Sequence, residues 1–199
     1  MPFYQTAATV ATACYFLAFV LLITLLALKR RGSPLHTEIL ESGETGERLY
    51  RAYEAAGIVG AAALCRAMLD YPGATFSPWA IYCLGAWAVL RLGLFAFKVK
   101  ITFFGQSRQG GAHLAIAAAS FALAGGAVVV GGPTVQSITT GPINAIFVAL
   151  GWVVQATLAL VLFAVLSAQG KWFGLAERAF TISTMLWFLL LAARLLAGN

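Results

Sequence analysis

The chain has 199 residues, of which 61% are hydrophobic and 10% are charged. Soluble domains carry about 45–50% apolar and about 25% charged residues, so this composition excludes an ordinary soluble domain and indicates an integral membrane protein. The net charge is +6, but the basic residues lie in short clusters beside apolar runs, as membrane topology signals do. No basic stripe of the kind that binds nucleic acid is present, so we expect no nucleic-acid partner.

Six apolar stretches are each close to the roughly 20 residues that a helix needs to cross the hydrocarbon core of a bilayer. They predict an all-α fold, a polytopic integral membrane protein in which a six-transmembrane-helix bundle forms a single domain. The predicted spans cover residues 7–28, 50–69, 78–97, 113–130, 143–166 and 178–197. Connections rich in Gly, Pro and Ser separate them, among them DYPGATFSPW, GGPTVQSITTGP and AQGKWFG.

The first span is followed by the only strongly polar segment of the chain. No basic residue precedes this span and a basic cluster follows it, which is the wrong polarity for a cleavable signal peptide. The polar segment, HTEILESGETGERLYRAYE, covers residues 36–54. A short interfacial helix before a turn at ESGETG is one interpretation of it, and a solvated charge run is the simpler one.

The distribution of Lys and Arg predicts the orientation of the spans. The connections after the second and fourth spans carry neither residue type, whereas those after the first, third and fifth carry Lys29, Arg30, Arg31, Arg48, Lys98, Lys100, Arg108 and Lys171. Basic connections stay in the cytoplasm, so both termini are expected outside. The localisation that follows is a cell membrane, most simply a bacterial inner membrane.

Small residues and cysteines within the spans indicate where helices pack against one another. The second and fourth spans contain AAGIVGAAA and AIAAASFALAGGA, and such runs let helix backbones approach closely in lipid, although Ala and Gly are also common in membrane helices. Cys14, Cys65 and Cys83 lie in apolar runs and form no C-x-x-C pair, so we expect ordinary packing roles. A disulfide between Cys65 and Cys83 is the alternative if both lie at a similar depth.

Polar residues converge at the predicted inner ends of the spans. Arg91 lies about six residues, or roughly 9 Å of helix rise, from the inner end of the third span, and Glu54 has a comparable depth and the opposite charge. The inner ends of four spans carry Glu54, Arg91, His113, Glu177 and Arg178. Snorkelling with one or two ion pairs is one interpretation. A polar pocket that holds a lipid headgroup or an anionic ligand is the second, and a catalytic site is the third.

Three further charged residues lie near the outer ends of their spans. Arg66 and Asp70 are four residues apart and therefore share a helix face. Arg194 lies close to the end of the sixth span. We interpret all three as interfacial charges.

Motifs of known chemistry are missing from the sequence. The chain has two histidines, His36 and His113, and no H-E-x-x-H, G-x-S-x-G, P-loop or G-x-G-x-x-G sequence. A catalytic zinc would need both histidines together with a carboxylate such as Glu38 or Glu177. We therefore predict no catalytic residue, no metal site and no cofactor. The related halves and discontinuous helices of transporters are also missing.

The same residues resemble a known family. HTEIL follows the first span, GLF ends the third, GGAH enters the fourth and GLAERAFTISTMLW opens the sixth. This order resembles an uncharacterised six-span membrane protein family, catalogued as domain of unknown function 998, over nearly the whole chain. The matching positions are His36, Glu38, Gly93, Leu94, Phe95, His113, Gly174, Leu175, Glu177, Arg178 and Trp187. Family members often follow GLF with Pro and an acidic residue, where this chain has Ala96, Phe97 and Lys98.

The resemblance implies six spans and, through a distant similarity to eukaryotic proteins of anchor-lipid remodelling, a lipid-related role. The first hypothesis for function is a non-catalytic membrane protein that binds a lipid headgroup or a small ligand through the cytoplasmic-side polar cluster. The second is an accessory subunit of a larger membrane complex. The third is a lipid-modifying enzyme or a transporter. The expected partners are membrane lipids and, for the second hypothesis, other membrane subunits.

Overall fold

A computed structural model describes residues 2–29, 43–96, 108–166 and 170–198. The described residues form six α-helices, which confirms the all-α class. They are α1 (Phe3–Lys29), α2 (Gly43–Asp70), α3 (Pro78–Ala96), α4 (Arg108–Ser137), α5 (Gly141–Leu166) and α6 (Gly170–Ala197). Five of them contain a stretch long and apolar enough to cross a membrane, namely Phe3–Ala27, Arg48–Asp70, Ile116–Ser137, Gly141–Ala164 and Phe173–Ala197.

The helices are arranged as a closed bundle. Each helix packs against the next one in the chain, and α1 packs against α6, so the first and last helices are also neighbours. α6 additionally contacts α2 and α4 and thus lies towards the inside. Half of the apolar stretch of α6 is buried in the bundle, compared with 22% of that of α5, which therefore lies at the periphery.

Two short connections keep neighbouring helices antiparallel. Before α3, the Ser77 carbonyl accepts a hydrogen bond from the backbone N–H of Ala80 at 3.0 Å, and Pro78 occupies the first helical position, where no N–H is needed. Before α5, Gly141 has a φ of 56°, a left-handed conformation that glycine adopts without side-chain strain. Residues 138–140 are therefore enough to reverse the chain between α4 and α5.

Helix α4 extends beyond the predicted fourth span, which ends near residue 130. The helix continues to Ser137 through Pro133, although a proline inside a helix removes one backbone hydrogen bond. Val135 is fully buried and Ile138 is 9% exposed, so packing of this last segment against the bundle offsets the missing bond. The Thr139 hydroxyl also donates to the Val135 carbonyl at 2.8 Å. The GGPTVQSITTGP sequence is therefore mostly helical rather than a loop.

Helix α2 begins before the predicted second span, which starts near residue 50. The helix begins at Gly43, so most of the predicted ESGETG turn is helical, and residues 36–42 lie outside the described part of the chain. The polar sequence therefore extends the apolar span instead of interrupting it.

Helix α6 begins before the predicted sixth span, which starts at residue 178. The helix begins at Gly170, within the AQGKWFG sequence that we expected to form a loop. Phe173 and Ala176 are both 6% exposed, so the first turns of α6 carry a buried face of their own. This earlier start means that Glu177 lies two turns inside the helix rather than at its first residue.

Close helix contacts occur where the sequence has small residues. A Cβ atom added at Gly60 of α2 would lie 3.2 Å from the Cβ of Cys14 in α1. One added at Gly125 of α4 would lie 2.6 Å from Cδ2 of Leu158 in α5. Small residues at these two positions therefore let the helices approach closely, as expected for membrane helices.

The cysteines serve as packing residues. Cys14, Cys65 and Cys83 are all free, so the alternative of a disulfide between Cys65 and Cys83 is wrong. The Cys65 thiol instead donates a weak hydrogen bond to the Ile81 carbonyl, with the sulfur and oxygen 3.6 Å apart. This contact links α2 to α3.

Candidate functional site

The charged side chains that the structure describes lie towards the two ends of the bundle. We call the end that contains Tyr50, Glu54, Arg91 and Glu177 the ion-pair end. It is built from the start of α2, the end of α3 and the start of α6. We call the opposite end, which contains Arg66, Asp70, Ile138 and Arg194, the clamp end. The candidate site lies at the ion-pair end.

A buried ion pair between two helices forms the centre of this site. Nη2 of Arg91 on α3 donates to Oε1 of Glu54 on α2. The Glu54 side chain is 3% exposed and the Arg91 side chain 14% exposed. Removing these charges from water costs several kcal/mol for each ion, so their mutual contact is required for both to be buried. The structure thus brings into contact Glu54 and Arg91, which the sequence predicted to lie at a comparable depth in the membrane.

Aromatic side chains surround the guanidinium. The Cζ atom of Arg91 lies 5.7 Å from the ring centroid of Trp87 and 5.9 Å from that of Tyr53. Both distances are within the roughly 6 Å at which a cation is attracted to the face of a ring. Tyr50 lies one turn before Glu54 on α2, and residues at this spacing share a helix face. The ion pair is therefore held in a fixed position by groups on both helices.

Hydrogen-bonding groups remain unused beside the pair. Nε of Arg91 and Oη of Tyr53 are buried, and neither has a hydrogen-bond partner among the described residues. The Tyr53 ring lies beside the guanidinium, so both groups belong to one small region. A buried polar group without a partner is destabilising by about 1–3 kcal/mol, and natural proteins keep few of them. These two groups therefore offer donors to a ligand or to water.

Glu177 brings a second carboxylate to this region from α6. It is half-buried and interacts electrostatically with Arg91 and with Tyr53. Arg178, the next residue, is also half-buried and takes part in interactions of its own. His113 lies near the start of α4, and its side chain is outside the described part of the structure.

Sequence reasoning missed the aromatic members of the site. Tyr50 and Glu54 are four residues apart on α2, and Trp87 and Arg91 are four apart on α3. Residues at this spacing share a helix face, so a search for aromatic residues one turn before each charge would have found both. Tyr53 precedes Glu54 directly and gives no such signal. Its position depends on how α2 and α3 pack.

The clamp end differs in character. Arg66 pairs with Asp70 at 2.7 Å within α2, as their spacing predicted, and its Cζ lies 4.9 Å from the ring centroid of Phe3. Arg194 donates from Nε at 3.0 Å and from Nη2 at 2.6 Å to the carbonyl of Ile138. It also donates to the carbonyl of Gly198. Arg194 therefore joins the ends of α4 and α6 and is more than an interfacial charge.

Comparison with protein-family models, with curated proteins and with solved structures gives no match. The site must therefore be interpreted from its own chemistry. Among the residues that the structure describes, no group of three or more His, Cys, Asp and Glu side chains is placed to hold a metal ion. The groups of this site without a partner among the described residues are a guanidinium N–H and a tyrosine hydroxyl. These groups can bind a polar ligand by hydrogen bonds and charge.

Proposed function

We propose that this chain is a non-catalytic, multi-pass protein of a cell membrane that binds a lipid headgroup or a small polar ligand at the ion-pair end. The observation that carries the proposal is the unpartnered Nε of Arg91 beside a buried ion pair. Ionisable residues inside a membrane are expensive and mark functional sites by default.

A purely structural role explains this arrangement less well. An ion pair that only fixes the register of α2 and α3 requires one contact between Glu54 and Arg91. Replacement of such a pair by apolar residues of similar volume is often neutral or stabilising. Two buried polar groups, Tyr53 Oη and Arg91 Nε, are nevertheless retained there without a partner among the described residues. A ligand that forms hydrogen bonds with these groups offsets the free-energy cost of removing them from water.

The membrane arrangement that we propose has six spans, with α3 as the sixth crossing helix and both termini outside. The positive-inside rule then places the ion-pair end at the cytoplasmic surface, where headgroups are within reach of Arg91. The cell membrane of a bacterium is the simplest location. We also propose membership of the family called domain of unknown function 998, because its most specific sequence, at the start of α6, supplies Glu177.

The proposal is tested by what remains bound after gentle extraction. We expect the full chain, purified in mild detergent, to retain lipid or a small ligand that native mass spectrometry detects. Arg91→Lys keeps a positive charge for Glu54 but removes the planar guanidinium and its Nε–H. We expect this variant to fold and to lose about tenfold in ligand affinity, as for one hydrogen bond to a charged group.

Arg66→Lys, at the clamp end, is the matched control and should leave retention unchanged. Equal retention by the wild type and Arg91→Lys would mean that the ion pair is only structural. A wild-type protein that is folded, monomeric and free of ligand would contradict the proposal. Isolation within a stable assembly of other membrane proteins would support the accessory-subunit alternative instead. Chemical conversion of the bound lipid would support the enzyme alternative.

A further inference from the structure

Buried hydroxyl groups on α4 and α6 also lack hydrogen-bond partners. Oγ of Ser120 and Oγ1 of Thr184 are buried and, like Nε of Arg91 and Oη of Tyr53, have no partner among the described residues. Ser120 is 1% exposed and Thr184 is 3% exposed. A Ser or Thr inside a helix can bond its hydroxyl to a carbonyl of the preceding turn, as Thr157 does at 2.7 Å. Ser120 and Thr184 do not, so their hydroxyls remain available to a molecule inside the bundle.

Ring contacts place Thr184 at the level of Arg91. The ring centroids of Trp87 on α3 and Phe188 on α6 lie 6.2 Å apart. Arg91 follows Trp87 by four residues, and Thr184 precedes Phe188 by four residues. Each step is one turn along the same helix face. Since α3 and α6 run in opposite directions, both steps lead towards the ion-pair end, and Arg91 and Thr184 reach a common level.

The same reasoning places Ser120 of α4 at this level. A Cβ atom added at Gly131 of α4 would lie 3.7 Å from the Cβ of Ala80 in α3. Ser120 precedes Gly131 by eleven residues, and Arg91 follows Ala80 by eleven residues. Eleven residues make about three helical turns, so each chain returns to the same helix face about 16.5 Å closer to the ion-pair end. Ser120 and Arg91 therefore lie at matching positions on two helices that pack together.

We call Tyr53, Arg91, Ser120 and Thr184 the polar layer, which takes one residue from each of α2, α3, α4 and α6. Its unpartnered groups are one guanidinium N–H and three hydroxyls. Each hydroxyl can donate one hydrogen bond and accept two. The hydroxyls are uncharged and Arg91 is already paired with Glu54, so a neutral molecule suits the layer. Buried water typically makes about three hydrogen bonds to polar groups that have no other partner.

An aromatic layer closes the bundle on the clamp side of the polar layer. Neighbouring rings in it have centroids 5.6 to 6.2 Å apart. Its members come from α1, α3, α5 and α6 and are at most 5% exposed, namely Tyr15, Trp87, Phe147, Trp187 and Phe188. On the other side, the Arg91 side chain keeps 14% exposure. Water therefore reaches the polar layer from the ion-pair end.

We propose that the bundle contains a one-sided water inlet, in which ordered water molecules hydrogen-bond to the polar layer and the aromatic layer stops them from passing further. The inlet extends to the middle of α6, since Thr184 lies fourteen residues from the first residue of this helix and thirteen from the last. The inference goes beyond the proposed function and does not depend on a bound lipid, because it rests on the unpartnered groups of four helices.

X-ray radiolysis of the full chain in mild detergent tests the inlet, because hydroxyl radicals formed from bound water oxidise the side chains beside it. Trp87 and Trp187 are a matched pair that are 5% and 2% exposed. Trp87 lies 5.7 Å from the Cζ of Arg91. Trp187 instead lies towards the clamp end, where a Cβ atom added at Gly131 would be 3.4 Å from its ring. We expect Trp87 to be oxidised several-fold faster than Trp187, as measured by mass spectrometry of peptides.

Two variants link this oxidation to the polar layer. Thr184→Val and Ser120→Ala each remove one hydroxyl. We expect either change to lower the rate of Trp87 oxidation by about twofold, because a buried water loses one of its roughly three hydrogen bonds. Thr157→Val is the matched control, since the Thr157 hydroxyl is bonded to the Val153 carbonyl within α5, and it should leave the rate unchanged. Melting curves of all proteins separate loss of water from loss of folding.

The outcomes separate this inference from the proposed function. Equal oxidation of the two tryptophans in the folded wild type, or faster oxidation of Trp187, would overturn the inlet. The same holds if neither Thr184→Val nor Ser120→Ala lowers the Trp87 rate. Ligand retention and its loss in Arg91→Lys are measured independently and would be untouched by these results. A wild type without bound ligand would contradict the proposed function, whereas faster oxidation of Trp87 in that protein would still support the inlet.

Discussion

The two ends of the bundle each contain an arginine paired with a carboxylate, and the two pairs are built differently. At the ion-pair end, Arg91 and Glu54 join two helices and their side chains are 14% and 3% exposed. At the clamp end, Arg66 and Asp70 lie on one helix and are 53% and 29% exposed. An exposed pair contributes little because water already solvates both ions, whereas a buried pair leaves a stranded charge when one partner is lost. The same two functional groups thus have different consequences for folding.

Arg194 makes the contrast clearer, because its hydrogen bonds among the described residues go to backbone carbonyls and not to a carboxylate. Its guanidinium donates to the carbonyls of Ile138 and Gly198, at the ends of two helices. Those carbonyls lack helical partners and carry partial negative charge. The clamp end therefore uses its arginine to complete backbone hydrogen bonds. The ion-pair end instead keeps a guanidinium N–H available.

The largest effect that we expect comes from Glu54→Leu. This change leaves Arg91 buried without its partner, so we expect the free energy of unfolding to fall by about 3–5 kcal/mol. Unfolding in mixed micelles of mild and denaturing detergent, followed by tryptophan fluorescence, measures this change. The double variant Glu54→Leu with Arg91→Leu removes both charges and should recover most of the loss. If the two single effects simply add in the double variant, the pair does not act as a unit and the comparison fails.

Two tyrosines on α2 should respond in opposite directions to loss of the hydroxyl. Tyr50→Phe removes a hydroxyl one turn from the Glu54 carboxylate on the same helix face, so we expect a loss of about 0.5–1.5 kcal/mol in stability. Tyr53→Phe removes a buried hydroxyl that has no partner among the described residues. In ligand-free protein we expect this change to be neutral or stabilising by up to about 1 kcal/mol.

The exposed Tyr82 provides the control, since its side chain on α3 is 65% exposed and Tyr82→Phe should have no effect. Thermal unfolding of the three variants in one detergent measures the signs. A clear loss of stability in ligand-free Tyr53→Phe would mean that this hydroxyl is already bonded, and would remove it from the set of groups available to a ligand.

Much of the fold follows from the sequence because membrane helices are fixed by apolar length. All six helices overlap the predicted spans, and the depth argument placed Glu54 near Arg91. The helix ends differ where packing of Val135 or Phe173 extends a helix through Pro- and Gly-rich sequence. Burial of these side chains depends on neighbouring helices, which the local sequence does not specify.

The details of the site were less accessible to sequence reasoning. Contact between α6 and both α2 and α4 brings Glu177 towards Arg91, and this depends on the order of helices around the bundle. The unpartnered state of Arg91 Nε depends on atomic geometry. In contrast, the i, i+4 spacing of Trp87 and Arg91 was visible in the sequence and was a usable signal for an aromatic neighbour.

The smallest effect that we expect comes from a change to the exposed pair at the clamp end. Asp70→Asn removes the exposed i, i+4 pair with Arg66, which is worth about 0.3–0.5 kcal/mol. Arg66 keeps its contact with the Phe3 ring and remains accessible to water, so no charge is stranded. The same detergent unfolding experiment, run at low and high salt, should give a small difference that shrinks with salt because exposed charges are screened. A salt-independent loss of several kcal/mol would mean that the clamp end buries its charges as deeply as the ion-pair end. The two ends would then not differ in the way that their exposure indicates.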